Sequence, residues 1–367
     1  MAARIKVQHR IVTWRGAQRT KAMLKNRFGA PARRGALRGA VVFSVAVAIW
    51  ASPASAGSKI KTFAVSGATG TFPEAIANGA IAGWYRDSSQ VDHGFLRASD
   101  GAIATFDAPG SAGTQGTGIN DNGTISGIYW DSGDIYHGYV RAADGTITPF
   151  DPKGSEMTYA GDISDKGAIT GYYEDRNGVY HGYVRAADGA ITSFDPKGSV
   201  LTVGNGINND GAITGGYEDG SGNYHGYVRA RDGTFTVFDP PGSTITNGIG
   251  INSKGVIAGW YVDGSGDYHG YVRARDGTIT SFDPKGSVQT TVVGLDNEGE
   301  ITGYWEDDMS AYHGFVRSTK GTITSIDVMN AFETYAMGID SSSSDKNGIS
   351  GQYTSARGRD RGFLRTP

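Results

Sequence analysis

Short segments of alternating apolar and polar residues follow one another from residue 57 to the end of the chain. Within 201–239, Thr, Val, Ile, Tyr and Phe recur over 202–208, 212–217, 224–230 and 234–238, with Asn-Asp-Gly or Asp-Gly between segments. Alternation with period two between turn residues predicts β-strands joined by hairpins, named a, b, c and d here. No stretch after residue 57 has an apolar stripe at i, i+3 and i+4, so no helix is predicted there.

The same pattern returns every 44 residues. A histidine followed by Gly-Phe/Tyr-Leu/Val-Arg marks six copies, and Arg361-Gly362-Phe363-Leu364-Arg365 marks a seventh. A period in the forties with four strands per repeat is typical of β-propeller blades. Each d strand leads into a longer segment such as Asp239–Ser243, whose prolines cannot donate to a ladder, so we expect a crossover to the next blade there.

The two ends of the repeat array complement each other. A lone d-like segment lies at 59–63, and a lone a–b–c set lies at 334–364. The prediction is an all-β, seven-bladed β-propeller of four-stranded blades over residues 57–367. Its ring is closed by the N-terminal strand, which completes the last blade and leaves few free edges.

Two aspartates recur together with the histidine. One of them, called the first aspartate, ends strand b, and the second follows strand d. A two-residue Asp188-Gly189 turn would set Tyr183 opposite Phe194 and thereby bring His181 near Asp195. The seventh copy loses all three, with Ser355, Arg361 and Ala64 in their places. The predicted structural network consists of His93, His137, His181, His225, His269 and His313, the first aspartates Asp87, Asp131, Asp175, Asp219, Asp263 and Asp307, and the second aspartates Asp107, Asp151, Asp195, Asp239, Asp283 and Asp327.

A structural role is the favoured interpretation of this network, because six equivalent catalytic metal centres would be unusual and three-ligand zinc sites are normally unique. Metal binding is the alternative. Asp263, Ser265 and Asp267 also place oxygens at positions 1, 3 and 5 of a loop, as calcium loops do, but no distal bidentate Glu follows, so a polar turn is favoured there. No cofactor is predicted.

Glycine recurs in strand b two positions before an aromatic, as in Gly215 and Tyr217. Glycine in a strand permits close approach, here of a ring expected from the neighbouring sheet. The arginine that closes strand c, from Arg97 to Arg365, is expected to pack on the sheet and to pair with an aspartate.

Residues 1–56 differ from the repeats. They hold eleven Lys or Arg and no Asp or Glu, and they end in an apolar run of about 12 residues and Ala54-Ser55-Ala56. This organisation predicts a signal peptide cleaved near Ala56, and the run is shorter than the ~20 residues of a membrane span. The remaining chain has 23 basic and 37 acidic residues, a net charge of −14, which argues against nucleic-acid binding. We expect a secreted protein, periplasmic or extracellular and monomeric.

Three tracts agree in order and spacing with a known repeat type. Gly-Ile-Asn-x-x-Gly-x-Ile-x-Gly, His-Gly-Phe/Tyr-Leu/Val-Arg and Phe-Asp-x-Pro/Lys-Gly-Ser together resemble the bacterial extracellular HAF repeats, named for a His-Ala-Phe at the place of His93-Gly94-Phe95. The resemblance implies export and a repeat fold. It supplies no catalytic residue.

Three functional hypotheses remain open. The favoured one is a binding or interaction module for a carbohydrate or an envelope protein. It would use variable strand-b positions on one face: Trp84, Ile128, Tyr172, Gly216, Trp260, Tyr304 and Gln352. A polysaccharide hydrolase or lyase would instead use off-pattern carboxylates such as Glu298 and Glu300, or the insertion 341–345. A purely structural envelope protein is the third.

Overall fold

The computed structural model describes residues 58–341 and 348–367, and every regular element in them is a β-strand. The predicted leader 1–56 lies outside the described residues. No helix in the described part is long and apolar enough to cross a membrane. The strands are β1 (Lys59–Phe63), β2 (Gly70–Ala77), β3 (Ala80–Arg86), β4 (Asp92–Arg97), β5 (Ile103–Phe106), β6 (Gly113–Ile119), β7 (Ile125–Trp130), β8 (Tyr136–Arg141), β9 (Ile147–Phe150), β10 (Ser155–Ile163), β11 (Ile169–Asp175), β12 (Tyr180–Arg185), β13 (Ile191–Phe194), β14 (Ser199–Ile207), β15 (Ile213–Asp219), β16 (Tyr224–Arg229), β17 (Phe235–Phe238), β18 (Ser243–Ile251), β19 (Ile257–Asp263), β20 (Tyr268–Arg273), β21 (Ile279–Phe282), β22 (Gln289–Leu295), β23 (Ile301–Glu306), β24 (Tyr312–Arg317), β25 (Ile323–Ile326), β26 (Ala331–Ile339), β27 (Ile349–Ser355) and β28 (Asp360–Thr366).

These strands form antiparallel four-strand units, numbered 1 to 7 here in the order of their a strands. Units 1 to 6 each take four consecutive strands beginning with β2, β6, β10, β14, β18 and β22. Units 4 and 5 are also joined by one parallel pairing, Tyr224 with Ile245. Unit 7 takes β26, β27 and β28, and its outer strand is β1, which pairs antiparallel with β28 from Lys59–Thr366 to Phe63–Gly362.

The c–d turns of units 1 to 6 are three-residue loops, and the prediction of a two-residue Asp188-Gly189 turn is wrong. The Ala186 amide donates to the Ala190 carbonyl, and Gly189 has a φ of 97° and donates to the Ala186 carbonyl. A type I turn followed by a left-handed glycine fits the twist of a hairpin, and it adds one residue to the loop. Gly182 therefore lies opposite Phe194, while Tyr183 lies opposite Ser193.

The strand-b glycines make room for their own sheet. A Cβ on Gly171 would lie within 3.0 Å of the Tyr159 carbonyl in strand a and of the Tyr183 hydroxyl in strand c. Both belong to unit 3, so the expectation of a ring from a neighbouring sheet is wrong. The reason is that the strand-c ring lies flat along the face of its own sheet, and its hydroxyl reaches a strand-a carbonyl, as Tyr227 reaches Val203 at 2.9 Å.

Neighbouring units bury an apolar layer between them. Phe194 of unit 3 packs with Ile207, Ile213 and Tyr227 of unit 4. The guanidinium carbon of Arg229 lies 5.0 Å from the centroid of the Phe194 ring, a cation–π distance. The same arrangement recurs for the strand-c arginines from Arg97 to Arg317, so these arginines stack on the preceding unit, and no ion pair joins them to an aspartate in the described part.

A hydrogen-bond ladder joins the units at the end that holds the a–b turns, called the turn end here. The Nδ2 atom of Asn120 donates to the Ser164 carbonyl at 3.0 Å, and Asn208 and Asn252 donate to the carbonyls 44 residues further on at 3.0 and 3.1 Å. Each Asn also accepts turn amides through Oδ1, as Asn252 does at 3.0 Å. One side chain thus closes its own turn and links to the next unit.

Unit 6 has Asp296 at this position. Its Oδ1 accepts from the amides of Gly299 and Glu300 at 2.7 Å. Its Oδ2 is buried and has no hydrogen-bond partner among the described residues. Burial raises the pKa of Asp296 to about 6, and the nearby carboxylates of Glu300 and Glu298 also raise it. The hydrogen bonds from the backbone amides of Glu300 and Gly299 lower this pKa but do not outweigh the burial. Unlike Asn, an ionised carboxylate cannot donate to the next unit.

We expect Asp296→Asn to stabilise the protein at pH 8. A carboxyl whose pKa is higher in the folded than in the unfolded state destabilises the fold as pH rises above about 4, and the loss is complete above about pH 6–7. Restoring the Asn donor should add roughly 1–3 kcal/mol to the unfolding free energy at pH 8. Urea unfolding at pH 4 and pH 8 measures this difference, and an equal effect at both pH values would contradict the assignment.

Candidate functional site

Each of units 1 to 6 holds a histidine between two aspartates at the end opposite the turn end, called the loop end. The structure places the histidine Nδ1 2.7–2.9 Å from the second aspartate in all six units. The Nε2 atom lies 3.4–3.7 Å from the first aspartate. Each of the two ring nitrogens therefore faces a carboxylate.

Strand pairing creates this geometry. Because Gly226 lies opposite Phe238, His225 of strand c comes next to Asp239, which directly follows strand d. Asp219 ends strand b, and its Oδ1 accepts from the amides of Ser221 and Asn223 at 2.8 and 2.9 Å, which turns the b–c loop back toward strand c. The aromatic residue opposite the histidine covers the imidazole, as in Tyr217 with a ring-centroid distance of 5.2 Å.

The electrostatics fit a charged, paired imidazole. The Asn223 amide above all, with its side chain and His225, lowers the pKa of Asp219 to about 2. Burial lowers the pKa of His225, but the hydrogen bonds to Asp239 and Asp219 outweigh it and raise the pKa. The bond to Asp327 raises the pKa of His313 in the same way. A carboxylate on each side stabilises the imidazolium form.

The second aspartate also reaches the next unit. Asp283 Oδ1 accepts from the hydroxyl of Thr290, a fully buried residue of strand a in unit 6, at 2.6 Å. Proline follows Asp283 and has no N–H. Where the crossover lacks proline, the backbone N–H of the residue after the aspartate links the crossover to the strand-a threonine instead. The Val328 amide, for example, donates to the Thr334 hydroxyl at 3.1 Å. The network thus connects a b–c loop, a crossover and a neighbouring unit.

Unit 7 has a different loop end. Its crevice encloses about 590 Å³ and is lined by residues 64–69 together with Arg359 and Arg361. The crevice of unit 5 occupies the equivalent position, encloses about 340 Å³, and is lined by Asp267, His269 and Asp283 among others. The sign of the charge is therefore reversed between two crevices of one repeated shape.

The aromatic candidates for ligand binding are mostly covered. Tyr172 and Trp260 are 7% and 3% exposed, so little of either ring is accessible to a sugar. Trp84 is half-buried; it stacks on Phe72 at 3.9 Å and donates from Nε1 to the Glu74 carboxylate at 3.0 Å. These rings pack against rings of strands a and c in their own unit, which take the place that a sugar would need.

Tyr304 packs edge to face against Tyr335 of unit 7, with centroids 4.9 Å apart. The off-pattern carboxylates lie elsewhere. Glu298 is exposed and Glu300 half-buried on the a–b turn of unit 6, so they lie at the turn end and away from the histidine networks. Of the insertion 341–345, only Ser341 belongs to the described residues.

The loop at Asp263, Ser265 and Asp267 forms a side-chain-capped turn. Asp263 Oδ1 accepts from the amides of Ser265 and Asp267 at 2.8 and 3.1 Å, while Oδ2 faces His269 Nε2 at 3.5 Å. Among residues 58–341 and 348–367, no group of three or more His, Asp or Glu side chains has an arrangement that could hold a metal ion. Calcium binding at this loop stays the untested alternative to the favoured polar turn.

Sequence reasoning missed an exposed apolar group at the loop end of unit 6. Met309, Met329 and Phe332 are 82%, 86% and 64% exposed. The positions equivalent to Met309 hold Ser89, Gly133, Asn177, Ser221, Ser265 and Arg357. The signal was available in the alignment of the repeats, because an apolar residue replaces a polar or glycine loop residue only there.

The fold is similar to solved β-propellers. The β-propeller domain of the Trilobed protease from Pyrococcus furiosus, described as having an open velcro topology, matches with a TM-score of 0.59 and 9% identity over 80% of this chain and 93% of that chain. YCF48 bound to D1 peptide matches with a TM-score of 0.51 and 12% identity over 84% and 94%. A puromycin hydrolase matches with 0.57 and 12% over 81% of this chain but only 52% of its own length. No family model and no curated protein matches the chain. At these identities the likeness establishes the β-propeller fold.

Proposed function

We propose that this chain is an exported β-propeller that binds a partner protein through the loop end of unit 6. The observation that carries the proposal is the exposed group of Met309, Met329 and Phe332, called the apolar patch here. Scattered exposed apolar residues are ordinary, but two methionines and a phenylalanine in one loop region, where unit 5 and its crossover have Ser265, Lys285 and Val288, are typical of an interaction surface. Methionine and phenylalanine are also enriched at protein interfaces.

One imidazole ties together the two segments that carry Met309 and Met329, and Phe332 follows Met329 by three residues. His313 lies 3.4 Å from Asp307 and 2.9 Å from Asp327. Met309 follows Asp307 by two residues in the b–c loop, and Met329 follows Asp327 by two residues in the crossover. The network of unit 6, which units 1 to 5 share, thus holds the two segments that carry Met309 and Met329.

Two further features belong to this proposal. The seven units would be the blades of one closed ring, which is supported by the pairing of β1 with β28 and by the Asp340 carboxylate, which accepts from the amides of Asn78 and Gly79 at 3.2 and 2.7 Å. Export would follow from the basic leader and its Ala-x-Ala end. The HAF-type resemblance agrees with both.

Substituting the apolar patch with residues of the other repeats should abolish partner binding. Met309→Ser, Met329→Lys and Phe332→Thr reproduce Ser265, Lys285 and Thr244 of neighbouring units. Chemical cross-linking in the source organism, followed by affinity purification of the tagged full chain, should recover one protein in fixed ratio with the wild type. We expect at least a tenfold lower recovery with the triple variant, because truncating central interface residues costs about 2 kcal/mol or more each.

Val237→Thr is the matched control, since Val237 is 46% exposed in strand d of unit 4 and lies outside the apolar patch. Equal recovery with the triple variant and the control would contradict the proposal. A glycan array, with and without calcium, separates the alternatives. Saturable glycan binding that survives the triple variant would favour a carbohydrate module, and product release lost on Glu298→Gln and Glu300→Gln would favour a hydrolase or lyase.

A further inference from the structure

The loop end of unit 7 departs from the other six units at every position of the network. Ser355, Arg361 and Ala64 stand where the others have aspartate, histidine and aspartate. Two carboxylates are removed and a titratable imidazole becomes a guanidinium, which stays charged at all physiological pH values. Because the three exchanges occur together, the departure concerns the crevice as a whole.

The backbone of this crevice keeps the repeat geometry. The Ser355 hydroxyl accepts from the Arg359 amide at 3.2 Å and donates to the Arg359 carbonyl at 3.0 Å. It therefore turns the b–c loop as the aspartates do elsewhere, without a negative charge. Arg361 lies opposite Tyr353, as the histidines lie opposite their aromatic partners. Arg359 takes the place that Asp267 has in unit 5, where it lines the equivalent crevice.

The crevice is larger and carries unpaired positive charge. Its volume is about 590 Å³, compared with about 340 Å³ in unit 5, and Ala64 lines it where unit 5 has the carboxylate of Asp283. Neither Arg359 nor Arg361 forms an ion pair with any described residue. Arg86, by contrast, binds Asp92 at 2.6 Å. What sets the unit 7 crevice apart is that two arginines line it, whereas in each of units 1 to 6 two aspartates face the imidazole at this place.

We propose that the unit 7 crevice is a binding site for an oxyanion, a carboxylate or a phosphate group carried by a ligand. A guanidinium offers a planar fork of N–H donors that matches carboxylate and phosphate oxygens in bidentate pairs. Arg361 on strand c would form the fixed half of the site, and Arg359 on the loop the adaptable half. The volume is in the range of sites that accommodate a small molecule. The site is independent of the apolar patch, which belongs to the preceding crevice.

The test is a titration of the purified protein with inorganic phosphate and, separately, with acetate and citrate, at constant ionic strength adjusted with chloride. Arginine Nε–H resonances observed by NMR report the binding. We expect saturable shifts of the Arg359 and Arg361 signals. Comparing the affinity for phosphate with the affinities for the carboxylates acetate and citrate identifies the group that the site prefers. Arg359→Gln with Arg361→Gln should weaken the binding at least about tenfold, as expected for the loss of charge-assisted bonds.

Two matched variants keep the test decisive. Ala64→Asp, Ser355→Asp and Arg361→His together rebuild the network of the other units, so this variant should fold and lose the anion response. Arg176→Gln removes an exposed arginine that is paired with Glu156 in unit 3 and should change nothing. The proposal is overturned if no oxyanion gives saturable shifts up to about 50 mM, or if the rebuilt network binds as well as the wild type.

Discussion

We expect Gly215→Ala to prevent stable folding or to lower the unfolding free energy by at least about 3 kcal/mol, the upper range for overpacking in a core. A Cβ on Gly215 would overlap the Val203 carbonyl, which belongs to the paired strand a, and would lie 2.9 Å from the buried Tyr227 hydroxyl. Neither neighbour can move freely, because Tyr227 is fully buried and its hydroxyl bonds the same carbonyl at 2.9 Å. Urea unfolding followed by tryptophan fluorescence measures the change.

Gly220→Ala is the control for this experiment. Gly220 lies in the b–c loop of the same unit, a Cβ there would have no neighbour within 4 Å, and its φ is not left-handed. The substitution should leave the unfolding free energy within about 0.5 kcal/mol of the wild type, as surface substitutions usually do. If Gly215→Ala also left the unfolding free energy unchanged, the close contacts of Gly215 with the Val203 carbonyl and the Tyr227 hydroxyl would be contradicted.

Much of the fold could be predicted because the strand pattern repeats. Strand β1 has the predicted bounds 59–63, and the strands of unit 4 lie within a few residues of those predicted. The hairpin register could not be predicted in full, because Asp188-Gly189 reads as a two-residue turn unless the αL position of Gly189 is known. One added loop residue shifts the opposite partner of Phe194 by one, yet His181 still reaches Asp195, since the histidine and this aspartate both extend past the paired residues.

The candidate site was less predictable than the fold. The Asp–His–Asp spacing can be found from the repeat alone, but burial cannot. A tyrosine such as Tyr172 is equally suited to a sugar and to a neighbouring ring, and only the packing of Tyr159, 4.9 Å away and parallel, decides between them. Exposed methionines such as Met309 also resemble core residues when the strand ends are not known.

The repeats and their departures have different physical roles. Six networks tie loops, crossovers and adjacent units together, so a substitution at His225 or its partners acts on stability. Unit 6 keeps this network and differs in its loop residues, whereas unit 7 keeps the loop geometry but has Ser355, Arg361 and Ala64 in place of the network. The recognition roles proposed for the apolar patch and for the unit 7 crevice would therefore leave the strand framework unchanged.

Deleting residues 58–63 should abolish cooperative unfolding of a monomer and lead to aggregation. Strand β1 completes unit 7, and without it the edge of β28 offers unpaired backbone groups to other chains. The deletion also removes Phe63, whose ring lies 5.1 Å from the Arg97 guanidinium and 6.2 Å from the Phe95 ring of unit 1. Loss of a fully buried large aromatic costs about 3–5 kcal/mol, and the half-buried Phe63 should contribute part of that. Size-exclusion chromatography and thermal unfolding measure both effects.

A disulfide between strands β1 and β28 tests their pairing by adding a cross-link instead of removing a strand. Lys59 lies opposite Thr366 in the β1–β28 ladder, and the chain has no cysteine, so Lys59→Cys with Thr366→Cys introduces a single defined cross-link. Oxidation should form it readily and raise the unfolding free energy by about 2–5 kcal/mol, because it constrains nearly the whole unfolded chain. Reduction of the same protein is the control and should return the unfolding midpoint to the wild-type value. If the cross-link failed to form, or formed without stabilising, β1 would not pair with β28 in solution and the closed ring would have to be abandoned.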